Sequence, residues 1–127
     1  MKQFIFLTLA EVLAIHQDQV SRYGGSRQIR DIGLLESALA MPKAGFGGEY
    51  VHRDICEMAA AYLFHIVKNH PFIDGNKRTG AMAAYVFLVL NGIILNIKEQ
   101  SFEDLVWKVS KGQADKLTIA KFFRGKF

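Results

Sequence analysis

Two runs dominate the pattern of apolar and polar positions. Residues 58–67 (MAAAYLFHIV) and 81–90 (AMAAYVFLVL) are apolar on nearly every side, and the polar stretch KNHPFIDGNKRTG separates them. A helix apolar all round belongs at the centre of a domain. The pattern predicts one long helix from Arg53 to about Asn69 and another from Asn76 to Leu90, the second stopped by Asn91-Gly92. Gly80, Ala81, Ala83 and Ala84 are small enough to let neighbouring helices come close. Elsewhere the periodicity is amphipathic. Thr8 and Glu11 have capping-box spacing and predict a helix from Leu9 to about Val20, broken by Arg22-Tyr23-Gly24-Gly25. Asp31 caps a second helix that carries Leu34, Leu35, Ala38 and Leu39 on one face and ends at Pro42. Ser101 with Asp104 marks the start of a helix running to about Lys111 and ending at Gly112. Thr118 caps a last short helix through Phe123. Phe4–Leu7 reads as a short strand or extended lead-in, and Ile93–Ile97 as a short strand. Ala44–Gly48 is glycine-rich, lacks the Gly-Lys-Ser/Thr ending of a phosphate loop, and reads as a flap. The expectation is an all-α single domain over residues 1–127, with five or six helices and at most short strands.

Composition narrows the classes. A chain of 127 residues is about one domain, and 50% hydrophobic residues exclude wholesale disorder. The formal charge of +4 suits anionic partners, among them nucleotide phosphates, an acidic protein or nucleic acid, and selects none of them. Charge is the sole pointer to nucleic acid. The single cysteine, Cys56, excludes an intrachain disulfide and fits a reducing cytosol. Its place in an apolar helical pattern favours packing over reactivity. The opening MKQFIFLTLAEVLA resembles a secretory signal only briefly, because Thr8 and Glu11 interrupt its apolar run. Residues 81–90 fall far short of the ~20 needed to span a bilayer. A cytoplasmic protein without membrane contact is expected.

The polar joint between the two apolar runs holds the candidate chemistry. Gly75 and Asn76 fall at the start of a buried helix, whose first N–H groups lack internal acceptors and carry the positive end of the helix dipole. That makes an anion site. Arg78 adds a planar fork suited to phosphate, and Lys77 a second positive charge. Asp74 stands just before them, a carboxylate placed to share Mg²⁺ with phosphates. His70 offers a group able to take a proton from an attacking hydroxyl. Base, metal ligand and anion cradle within nine residues are the parts of a phosphate-transfer site. Each residue also has an ordinary role: His70 as a helix cap or surface group, Asp-Gly-Asn as turn chemistry, Pro71 as a helix stop, Phe72 as an anchor for the loop.

His70-Pro71-Phe72-Ile73-Asp74-Gly75-Asn76-Lys77-Arg78 resembles the signature of the Fic family, His-Pro-Phe-any-Asp/Glu-Gly-Asn-Gly/Lys-Arg, at all nine positions. Ser21–Gly25, Arg30–Ala38, Gly47-Gly48 and Phe87–Gly92 look like its Doc branch. The resemblance implies an all-α fold with the motif between two central helices. It implies His70 as general base, Asp74 as Mg²⁺ ligand, and Gly75, Asn76, Lys77 and Arg78 around the phosphates of ATP. Most Fic enzymes transfer AMP to a protein hydroxyl, and they have glycine where this chain has Lys77 and a second arginine where it has Ala81. Those departures point to Doc, in which the nucleotide lies reversed and the γ-phosphate is transferred. Doc is a toxin that phosphorylates a threonine of elongation factor Tu, stops translation, and is neutralised by an antitoxin. Transfer of AMP and a non-enzymatic anion- or peptide-binding module are the alternatives. No Ser/Thr-x-x-x-Glu-Gly/Asn self-inhibitory segment is present, which suits control by a separate protein.

Other residues carry less. Ser21, Arg22 and Tyr23 either border the nucleotide pocket or form a polar helix end. His65 reads as a satisfied core histidine, while His16 and His52 stand in no constellation. Phe102, Trp107, Phe122 and Phe123 read as core or a partner surface rather than a base-stacking platform.

Overall fold

The computed structural model describes residues 3–127; Met1 and Lys2, which precede the apolar N-terminal run, lie outside the described residues. Among the described residues there are six helices and one small hairpin. They are α1 (Leu9–Tyr23), α2 (Ile32–Ala40), β1 (Gly45–Phe46), β2 (Glu49–Tyr50), α3 (Ile55–Asn69), α4 (Asn76–Leu90), α5 (Glu99–Ser110) and α6 (Lys116–Arg124). No helix among them is long and apolar enough to cross a membrane.

The two apolar runs become the centre. Every residue of α3 from Cys56 to Leu63 is buried, as are Ile66 and Val67. Helix α3 packs against α4, α6, α2 and α5, and α1 lies on α4. The approach of α3 to α4 is close at Gly80, where an added Cβ would sit 3.1 Å from Val67 Cγ2 and 3.2 Å from the Leu63 carbonyl oxygen. Buried Tyr62 keeps its hydroxyl paired by accepting the Leu7 N–H at 2.9 Å, and burial pushes its pKa up to about 12. Burial likewise pushes the Cys56 thiol up to about 11, so it is a packed, unreactive thiol.

Several boundaries differ from the sequence reading, each for a local reason. Helix α1 has the expected capping box but runs past Val20 to Tyr23, and Gly24 ends it. Helix α3 starts at Ile55 rather than Arg53, because the Asp54 carboxylate accepts the Glu57 N–H and sets the first turn there. Helix α5 begins at Glu99 without a side-chain cap, two residues before the Ser101 start. Helix α6 is capped by Asp115; Thr118 sits in its first turn and donates both N–H and hydroxyl to that carboxylate. Residues 93–97 form no strand; the Asn96 N–H is used by the Lys126 carbonyl instead. Phe4–Leu7 is the extended lead-in rather than a strand, tied to the end of α4 by the Asn91 side chain, which bonds both Ile5 N–H and Ile5 C=O. The glycine-rich stretch folds as the antiparallel pair β1–β2 across Gly47-Gly48, with Phe46 almost fully exposed at 90%.

Candidate active site

The joint between α3 and α4 is where the sequence pattern forces a change of direction. Pro71 cannot donate a helical hydrogen bond and disfavours right-handed helical geometry at the residue before it. His70 accordingly leaves α3 with φ 51° and ψ 54°, and among the described residues no other non-glycine has positive φ. The chain then dips inward. Phe72 is fully buried, and Asn76 closes the loop around it: Oδ1 accepts the Phe72 N–H and Nδ2 donates to the Phe72 carbonyl, both at 2.9 Å. Gly75, at φ 83°, turns the chain into α4. A Cβ there would crowd Val20 and the His16 ring at 3.3–3.4 Å.

This turn leaves the start of α4 open. Gly75 offers no side-chain cap, and the first helical N–H satisfied from within is that of Thr79, which bonds the Gly75 carbonyl. The preceding N–H groups are therefore available to an anion. They look into a cleft of about 710 Å³, a size suited to a nucleotide-sized ligand. His70, Asp74, Gly75, Asn76, Lys77 and Arg78 all line it, with Phe102, Val106 and Trp107 of α5 opposite. The sequence-predicted residues are thus brought together, with one difference of detail. The Asn76 side chain is 5% exposed and fully occupied with Phe72, so only its main-chain N–H remains for a phosphate.

The loop after α1 forms the neighbouring wall. Gly25 passes so near Asp74 that a Cβ would lie 2.8 Å from the aspartate Cβ, and this closeness lets the Ser26 N–H donate to Asp74 Oδ2 at 2.7 Å. Among the described residues Oδ1 has no hydrogen-bond partner, which leaves it for a cation. Among the described residues no group of three or more His, Cys, Asp or Glu side chains could hold a metal ion. A cation at Asp74 would complete its shell with phosphate oxygens and water, as Mg²⁺ commonly does. Tyr23 also belongs here: the Arg78 guanidinium carbon lies 4.3 Å above its ring, a cation–π contact that steadies the arginine. Ser21 and Arg22 are engaged elsewhere, with Arg27 and Asp18 respectively.

Two supporting residues escaped the sequence reading. His16 is not idle: it is 1% exposed, stacks on Phe72 with centroids 3.7 Å apart, and lies 2.8 Å through Nε2 from the Asp74 carbonyl. Because a carbonyl only accepts, Nε2 carries the proton. Its place with Val12, Gln19 and Val20 on the buried stripe of α1 was the available signal. Arg30 reaches the end of α3, its Nε donating to the His70 carbonyl at 2.7 Å and its Nη2 to the Asn69 carbonyl at 3.0 Å. His65 stays outside the cleft, half-buried, with Nε2 3.1 Å from Lys116 Nζ. Phe123 is core, and Trp107 is half exposed on the cleft wall.

The chain is similar to known proteins over most of its length. A model of the Fic/DOC family matches residues 6–88. Over 105 residues the chain is 37% identical to Toxin Doc of Mycolicibacterium smegmatis, covering 81% of each. Over 114 residues it is 31% identical to Protein kinase doc of Escherichia phage P1, covering 90% of this chain and 89% of that protein.

Proposed function

The chain belongs to the Fic/DOC family, and from that premise we propose that it is a Doc-type toxin that moves a phosphoryl group from ATP to a hydroxyl of a translation factor, elongation factor Tu being the first candidate. The observation that carries the proposal is the convergence of His70, Asp74, Lys77 and Arg78 on one cleft at an uncapped helix start. In this reading the triphosphate lies against the first turn of α4, held by main-chain N–H groups from Gly75 onward and by Lys77 and Arg78. Asp74 would hold Mg²⁺ through its unengaged oxygen; the ion, when bound, neutralises phosphate charge. The target hydroxyl oxygen attacks the terminal phosphorus, its proton passes to the His70 imidazole, and the bond to the leaving nucleoside diphosphate breaks.

The choice of phosphate over AMP rests on two cleft residues. Lys77 brings a cation where most AMP-transferring relatives have glycine, and Ala81, which also lines the cleft, brings none where they have a second arginine. Both changes favour a grip on the terminal phosphate. The name of the phage relative, a protein kinase, supports the same chemistry. A toxin of this kind acts in the cytoplasm and is held in check by a cognate antitoxin. Tyr85 and Val89, four residues apart on α4 and both exposed, offer apolar surface of the kind such a partner covers.

The test is transfer from doubly labelled Mg-ATP to purified translation factors, with His70→Ala as control. Label from the γ position on the target supports the proposal, and label from the α position replaces it with AMP transfer. Growth arrest that survives His70→Ala would favour a binding module without catalysis.

A further inference from the structure

We propose that Arg30 is a positioning residue for His70: its side chain holds the turn that points the imidazole into the cleft. The proposal rests on the phosphotransferase reading for its kinetic consequence and on geometry alone for its structural one.

Three successive carbonyls close the end of α3, that of Asn69, its last residue, and those of His70 and Pro71 just beyond it, and Arg30 takes part in satisfying all three. Its guanidinium donates to the Asn69 carbonyl at 3.0 Å and to the His70 carbonyl at 2.7 Å. Its main-chain N–H donates to the Pro71 carbonyl at 2.7 Å, joined there by Asp31 N–H at 2.9 Å. The last carbonyls of a helix have no internal donors and carry the negative end of its dipole, so a cation is well placed there. These carbonyls also bracket the peptide units on either side of His70. A left-handed conformation is costly for a residue with a Cβ and persists only where its surroundings hold it. The His70 N–H bond to Ile66 fixes the unit before the turn. The fork of Arg30 ties the two units to each other, Nη2 on the carbonyl before His70 and Nε on the carbonyl after it, and two donors in one plane define a relative orientation that a single donor does not.

Main-chain bonds from Arg30 and Asp31 to Pro71 and from Ile73 to Gln28 hold the chain beyond His70, and none of them reaches the His70 carbonyl. Asn69 Nδ2 bonds the Leu34 carbonyl and holds the helix rather than the turn, and Asn76 holds Phe72, two residues on. Arg30 is itself exposed and outside the cleft lining, so it touches neither nucleotide nor target in the proposed reaction. Its effect on chemistry is therefore through His70. A base displaced by a fraction of an ångström from its hydroxyl loses rate far more than affinity, and misplacement of about 1 Å costs on the order of 100-fold.

The experiment compares wild type, Arg30→Met and Arg30→Lys by two readouts. NMR follows the His70 main-chain and ring resonances, with residues 59–63 of α3 as an internal control. Steady-state transfer gives kcat and KM for Mg-ATP. The proposal expects the His70 resonances to move or broaden in Arg30→Met while the control residues hold. It expects kcat to fall at least about tenfold with KM within about twofold, and Arg30→Lys, which keeps the charge but has a single donor nitrogen in place of the fork, to lie between. Unchanged His70 resonances in Arg30→Met, or transfer at the wild-type rate, overturns it. If wild type transfers nothing, the phosphotransferase reading falls by itself, and the NMR comparison still decides whether Arg30 sets the turn.

Discussion

Replacing Asn76 by alanine separates two roles that its position would allow, contact with a nucleotide and closure of the loop. In the structure the side chain makes two buried hydrogen bonds, to the N–H and the C=O of Phe72, a residue with no exposed surface. Removing both leaves two main-chain groups without partners, at about 1–3 kcal/mol each. Alanine returns roughly 0.7 kcal/mol in helix propensity, and a water entering the vacated space relieves part of the remainder. The net expectation is a loss of about 2–4 kcal/mol, or a fall in Tm of about 10 °C for a domain of this size. The isosteric Asn76→Asp keeps the acceptor for Phe72 N–H but turns an oxygen toward the Phe72 carbonyl. It should also destabilise, less at low pH, where a protonated carboxyl can donate to that carbonyl. Urea denaturation followed by circular dichroism gives the stabilities, and calorimetry the nucleotide affinity. An Asn76→Ala protein within about 0.5 kcal/mol of wild type whose nucleotide affinity has collapsed would refute the loop-closure role and place the side chain on the ligand.

His16→Phe preserves the stack on Phe72 but removes the donor to the Asp74 carbonyl, so about 1–2 kcal/mol of stability should go, together with metal-dependent turnover; unaltered Mg²⁺ dependence would count against a role for His16 in placing Asp74. His65 gives a pH signature. Burial first, and the Lys116 charge second, push its pKa down to about 4 from 6.5, so the folded state disfavours the proton that the unfolded chain accepts. Stability is full above pH 6.5 and declines as pH falls toward 4, and His65→Gln should flatten that part of the profile. Matching slopes for wild type and variant between pH 4 and 6.5 would exclude His65 as the source.

The parts of the fold legible in the sequence were those governed by short-range rules. The capping box at Thr8, the Asp31 cap, the glycine after α1 and the two apolar helices all follow from spacing and propensity, and the structure places them accordingly. Boundaries slipped where two caps competed within a few residues, as with Asp115 and Thr118, because each side chain alone satisfies the spacing. Residues 93–97 have strand-like composition but no neighbouring strand to pair with, and pairing is decided by tertiary position.

The candidate site was legible for a different reason: its polar residues are consecutive, so their proximity needs no fold to establish it. What spacing could not supply was the support. His16 lies 58 residues from Asp74, and Arg30 40 residues from His70; only the packing of α1 and of the loop before α2 against the joint brings each to its partner. Nor could spacing divide the work of Asn76 between main chain and side chain, since that depends on Phe72 turning inward.

Position-specific labelling tests phosphoryl transfer from a nucleotide clasped at the start of α4. Purified protein is incubated with Mg-ATP and elongation factor Tu, with label at either the γ or the α phosphate, and the target is read for incorporation and by mass spectrometry. Wild type should leave γ label and the mass of a phosphate on the target, and His70→Ala neither. Label from the α position, or equal incorporation by the His70→Ala protein, would rule out γ-phosphoryl transfer with His70 as the base.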